Sequence, residues 1–210
     1  MKGVCCVSIL GAVLALFINA WPSAAHRTDR AQEQAVEGQQ GQPPQETLSR
    51  AHGYFTDVVL VNQYGEQMRL YSDLLKGKVV VIHSFFTSCE ASCPVTIGTF
   101  ARLQAWLGER LGREVHLLSI SVDPVTDTPA KLKAYAEQLK VKRGWYLLSG
   151  EPQNVKGALY KLGQYVETKE NHHNIIIMGN EPTGLWKKTF GLAQPQDLIQ
   201  LLESVLQDPG

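Results

Sequence analysis

The apolar run Val79-Val80-Val81-Ile82 leads directly into Ser84-Phe85-Phe86-Thr87-Ser88-Cys89-Glu90-Ala91-Ser92-Cys93-Pro94, and a helical pattern follows. The run reads as a buried strand. Two cysteines therefore stand where a strand hands over to a helix, the place where α/β sheets carry reactive groups. If the segment is helical, Cys89 and Cys93 share a face, about 6 Å apart along the axis. That separation suits a disulfide, which tolerates Cα distances of about 4.4–6.8 Å. The pair can be a dithiol, a disulfide or a two-sulfur clamp on a soft metal. Pro94 fits a first helical turn, and a helix start favours thiolate. A purely structural disulfide is the plainer reading, but over so short a loop it would constrain the unfolded chain little.

The start of the chain narrows the setting. Met1-Lys2 is positive, residues 7–18 are apolar, and Ser23-Ala24-Ala25 is a small-residue cleavage site. The apolar stretch is short of the roughly 20 residues that span a bilayer. Residues 1–25 are expected to be a secretory signal peptide; an uncleaved membrane anchor is the alternative. Of the four cysteines, Cys5 and Cys6 would leave with the signal, and Cys5 lies too early for lipid attachment. An exported chain with two remaining cysteines, four apart, points to redox or metal work. Residues 26–50, rich in Gln, Glu, Pro and Arg, read as a disordered tether. A net charge of zero gives no reason to expect nucleic acid or an acidic substrate as partner.

Residues 51–210 are expected to form one domain. Strands are predicted at residues 57–61 and 67–70 around Asn62-Gln63-Tyr64-Gly65, giving an N-terminal hairpin. Further strands are predicted at residues 78–86, 115–122, 145–148, 175–178 and 185–190. Ile97, Phe100, Leu103, Leu107 and Leu111 mark a helix from Pro94 to Leu111, which Gly112 ends. Thr128 and Pro129 open a second, with Leu132, Tyr135, Ala136 and Leu139 inward. Residues 152–163 and 197–206 supply two more. Strands alternating with helices argue an α/β thioredoxin-like fold, a central mixed sheet flanked by helices.

Four blocks resemble the Sco/SenC family of copper-binding cytochrome oxidase assembly proteins: Phe86-Thr87-Ser88-Cys89 through Cys93-Pro94; Ile120-Ser121-Val122-Asp123-Pro124 with Asp127-Thr128-Pro129; residues 173–184; and Leu74-Leu75-Lys76-Gly77-Lys78-Val79. The resemblance covers residues 54–206. It implies that Cys89, Cys93 and one downstream histidine bind copper. The family pattern sets a histidine, an apolar strand, then proline nine and glycine eleven positions on. Pro182 and Gly184 stand at those offsets from His173, so the ligand role falls to His173 and not to His172. Two departures stand out. Met178-Gly179 replaces a usual Tyr-Leu pair, and His83 occupies a strand position where the family commonly has Asn.

Two thiolates and one imidazole make a soft, low-coordinate site able to hold Cu(I) or Cu(II). Zinc prefers four ligands in structural sites, and no natural fourth is visible. The implied role is a copper chaperone that delivers copper to the CuA-bearing subunit of cytochrome c oxidase, with other periplasmic copper or thiol-redox proteins as further partners. The implied location is the bacterial periplasm, with membrane association through an uncleaved N-terminus as a variant. The alternatives are a thiol-disulfide reductase, with Cys89 and Cys93 as the catalytic dithiol, and a copper or redox sensor. A general thioredoxin usually has C-x-x-C and a proline before the later strand; here Asn171-His172-His173-Asn174 precedes Ile175. A peroxiredoxin-type threonine would stand three residues before the cysteine, whereas Thr87 stands two before Cys89. Asp123, at a strand end, could orient a ligand. Asp127 reads as a turn or cap residue, His83 as a satisfied core histidine, and His172 and His116 as surface or packing residues.

Overall fold

The computed structural model describes residues 50–90 and 93–210. The expected signal peptide at residues 1–25 and residues 26–49 of the expected tether lie outside the described residues. Among the described residues no helix is long and apolar enough to cross a membrane.

The chain runs α1 (Arg50–Phe55), β1 (Val59–Asn62), β2 (Gln67–Arg69), a π-helical turn (Leu70–Leu75), β3 (Val79–Phe85), α2 (Cys93–Leu107), β4 (Val115–Ser121) and α3 (Pro129–Gln138). It continues through β5 (Trp145–Ser149), α4 (Pro152–Leu162), β6 (Ile175–Asn180), β7 (Leu185–Phe190) and α5 (Pro195–Leu206). The seven strands of the described residues join one mixed sheet in the order β2-β1-β5-β4-β3-β6-β7. This is the expected thioredoxin-like architecture with its N-terminal hairpin. Strands β3, β4 and β5 are parallel, while β6 runs antiparallel to β3.

Period-two alternation on the central strands builds two cores. Val81 and Phe85 of β3, with Ile176 and Met178 of β6, face α2, α3 and α5. Val80 and Ile82, with Leu118, Ile120 and Ile177, face α4, Phe55 and the π-helical turn. On α2, Ile97, Phe100, Leu103 and Leu107 are all buried, as their spacing requires. Each such side chain is worth about 1.5–3 kcal/mol when fully buried. The helix ends at Leu107, earlier than expected, and a 3-10 turn, Gly108–Arg110, follows.

The unusual Met178-Gly179 pair has a packing reason. Gly179 lies opposite Trp186 in the β6–β7 ladder, and a Cβ on Gly179 would fall 2.2 Å from the Trp186 ring. The indole covers the place a side chain would take.

His83 is buried to 1% exposure in β3 and is fully satisfied. A carbonyl can only accept, so His83 Nδ1–H donates to the Ser84 carbonyl at 3.1 Å. Nε2 then accepts from the Ser119 hydroxyl at 2.7 Å, and Trp145 Nε1–H donates to Ser119 Oγ at 2.9 Å. The ring packs against Phe100, with centroids 4.2 Å apart. Burial pushes the His83 pKa down to about 3, and burial also takes His116 down to about 4.

In the unfolded chain these imidazoles titrate near about 6.5. Below that pH the unfolded state takes up protons that the folded state refuses, so stability is present above it and is lost as pH falls. The urea midpoint should be level above pH ~7 and decline between about 6.5 and 3. Replacing His83 with Asn should flatten that decline; an unchanged slope would contradict the assignment.

Candidate metal centre

The sheet topology brings the candidate residues together. β3 ends at Phe85, paired with Ser121 at the end of the parallel neighbour β4. Because β6 is antiparallel to β3, with His83 opposite Ile176, the segment entering β6 arrives at the same edge. Three stretches remote in sequence therefore meet there: the cysteine loop, the residues after β4 and the histidine segment before β6.

Cys89 is not on the helix. It follows a turn closed by its own N–H donating to the Phe86 carbonyl at 3.2 Å, while Cys93 is the first residue of α2. The condition for a shared helical face is therefore not met, and a turn and a helix start approach one another instead. Both cysteines are free thiols; Cys93 is buried and Cys89 is partly exposed. The expected helix-start activation of Cys93 is also corrected. Burial, and then the hydrogen bond with Cys89, push its pKa up to about 12.

Asp127 holds the cysteine loop. Its carboxylate, 1% exposed, accepts from the Thr87 N–H at 3.1 Å, from the Thr87 hydroxyl at 2.5 Å and from the Ser121 hydroxyl at 2.7 Å. Thr128, not Asp127, caps α3. Asp127 therefore does more than end a turn, since it ties the loop before Cys89 to the end of β4.

The histidine nearest the two sulfurs is not the one the family pattern implies. The ligand atoms of Cys89, Cys93 and His172 lie within 4.8 Å of one another. His172 Nε2 is 3.2 Å from Cys93 Sγ. His173 is exposed and is not in this group. The offsets to Pro182 and Gly184 fix where β6 begins, but they do not fix which face of the preceding extended residues meets the sulfurs. Neighbouring side chains on such a segment point to opposite sides, and here His172 is the one turned inward.

Two anchors flank the tandem histidines. At one end Lys169 Nζ donates to Asp123 Oδ2 at 2.7 Å. Burial would raise the Asp123 pKa, but the hydrogen bonds and charge of Lys169, together with Thr126, hold it below the usual carboxylate value. At the other end Asn174 Oδ1 accepts from the Thr96 hydroxyl of α2 at 2.6 Å, and the Gly191 N–H donates to the Asn174 carbonyl at 2.7 Å. A Cβ on Gly191 would sit 1.9 Å from Asn174 Oδ1, so this approach needs glycine. Asp123 thus contacts the segment that carries a donor and not the donor itself.

The SCO1/SenC family model matches residues 47–206. The chain belongs to the SCO1/SenC family. A SCO2-like protein of Rickettsia felis is 33% identical over 159 residues, covering 70% of this chain and 74% of the relative. The solved structure of Bradyrhizobium japonicum ScoI with copper bound superposes with a TM-score of 0.58 at 25% identity, covering 70% of this chain and 96% of that one. BsSco, described as a member of the Sco family of cytochrome c oxidase assembly proteins, superposes with a TM-score of 0.58 at 27% identity over 70% of this chain and 90% of its own.

The two thiols of this SCO1/SenC chain should react unequally. Cys89 is accessible, whereas Cys93 is buried and strongly protonated. In reduced protein at pH ~8, iodoacetamide should alkylate Cys89 at least roughly tenfold faster, because only thiolate attacks. Peptide mapping after short exposure reads this, and equal labelling would contradict it.

Proposed function

We propose that this protein binds one copper ion between Cys89, Cys93 and a histidine of the 172–173 pair, and passes it to the CuA-bearing subunit of cytochrome c oxidase during assembly. The observation that carries this reading is the convergence of two sulfurs and an imidazole nitrogen within 4.8 Å. The copper-bound ScoI structure and the oxidase-assembly description of BsSco support it.

Copper is the cargo here. Soft thiolates select Cu(I), and an imidazole beside them accommodates Cu(II). Three protein donors leave a coordination position for an incoming ligand. Partly exposed Cys89 lies on the open side, so a partner's thiolate can enter there while buried Cys93 retains the ion. His172 Nε2 is the third donor in the geometry as it stands. His173 is the donor that the family pattern implies, and it would take that place only if the segment turned. The apolar N-terminus and its cleavage site support export to the periplasm.

The free dithiol favours a second reading: Cys89 attacks a disulfide in the oxidase subunit and Cys93 resolves the mixed disulfide, so the partner is reduced to its dithiol as Cys89 and Cys93 form a disulfide.

Anaerobic titration of the reduced protein with Cu(I) against a chelator should show one equivalent bound. Cys89→Ser and Cys93→Ser should each abolish tight binding. His172→Ala should weaken binding and His173→Ala should leave it near wild type; the reverse order would assign the role to His173. Wild type that takes up no copper, yet reduces a disulfide in the oxidase subunit, would give the second reading.

A further inference from the structure

We propose that Lys169 is the positioning residue of this site: its ammonium, held by Asp123, and its carbonyl, bonded to the His172 ring, together keep the His172 imidazole aimed at the sulfurs. The inference rests on the copper reading above and concerns what fixes the geometry.

Lys169 acts on His172 through its backbone. The 3-10 turn Lys169–Asn171 ends at His172, whose N–H donates to the Lys169 carbonyl at 3.2 Å. His172 Nδ1 lies 2.9 Å from the same carbonyl oxygen. Since that oxygen can only accept, the ring proton sits on Nδ1, and the Nε2 lone pair is left facing Cys93 Sγ at 3.2 Å. A backbone carbonyl that takes the far N–H of a metal-ligating histidine fixes both tautomer and ring orientation.

The Lys169 side chain anchors that carbonyl. Its Nζ donates to Asp123 Oδ2 at 2.7 Å and stands 5.3 Å from the centroid of the Phe86 ring. His172 meets the same Phe86 ring edge-on, with centroids 5.3 Å apart. Lys169 and His172 thus share one aromatic support, which itself belongs to the cysteine loop. Residues 163–174, between α4 and β6, contain a single 3-10 turn among regular elements. Part-exposed ion pairs contribute little to global stability. This one has only to oppose the opening of a short segment, and any fall in the closed fraction lowers apparent affinity in proportion.

The test uses the full chain with Lys169→Met, Asp123→Asn, the double variant and Lys169→Arg. In reduced, copper-free protein, ring-nitrogen NMR should show His172 as the Nδ1–H tautomer in wild type and Lys169→Arg, and as a mixture in Lys169→Met. Cu(I) dissociation constants should rise roughly tenfold in Lys169→Met and in Asp123→Asn, the lower end of what losing such a support costs, and stay near wild type in Lys169→Arg. The double variant should be no weaker than either single one. An unchanged His172 tautomer with wild-type affinity in Lys169→Met, or additive losses in the double variant, would overturn the proposal. Wild type that binds no copper would defeat the functional reading, while the tautomer measurement would still report on Lys169.

Discussion

The site depends on one ladder. β6 pairs antiparallel with β3 in a register that sets Ile176 against His83 and Met178 against Val81. That register delivers the residues before β6 to the edge where β3 ends and the cysteine loop begins. A shift by one residue would turn Ile176 and Met178 out of the core and carry the histidine pair with them. Ile176 and Met178 are fully buried, so the apolar core specifies the register and the register in turn places the histidine pair beside the cysteines.

Polar contacts then fix what the ladder brings near. Asp127 ties Thr87 to Ser121, so the loop before Cys89 is held against β4. Thr96 ties the first turns of the helix that begins at Cys93 to Asn174, immediately after the histidines. Each tie lies within a few residues of a cysteine or histidine of the candidate site. Below the site the Trp145–Ser119–His83 chain satisfies every polar atom it places in the core, which a buried network must do to avoid a desolvation penalty. His83 therefore supports the site from beneath and is not a ligand.

Much of this was legible in the residues because it follows from periodicity. The apolar runs at residues 79–82, 115–122 and 175–178, and the inward stripe from Ile97 to Leu107, fell where the structure has strands and α2. The strand-to-helix hand-over also put the cysteines at the functional edge. What was not legible turns on side-chain direction in irregular segments. Cys89 and Cys93 are close through a turn and not along one helical face, which spacing alone cannot distinguish. His172 and His173 are adjacent on an extended stretch, so a pattern counted to Pro182 locates the pair but not the inward member. Asp127 and Lys169 act across long sequence separations, on Thr87 and Asp123 respectively, and neither leaves a local signal. The thiol pKa followed burial and not helix position, because Cys93 opens its helix inside the core.

Membership of the SCO1/SenC family and the geometry of the described residues meet at one claim: two sulfurs and one imidazole nitrogen take a single copper ion. X-ray absorption at the copper edge of the reduced, Cu(I)-loaded protein tests it most directly. The account predicts a first shell of two sulfurs and one imidazole nitrogen, with the nitrogen lost in the variant that lacks the ligating histidine. A shell of sulfur alone in wild type, or one unchanged when both His172 and His173 are replaced, would contradict it.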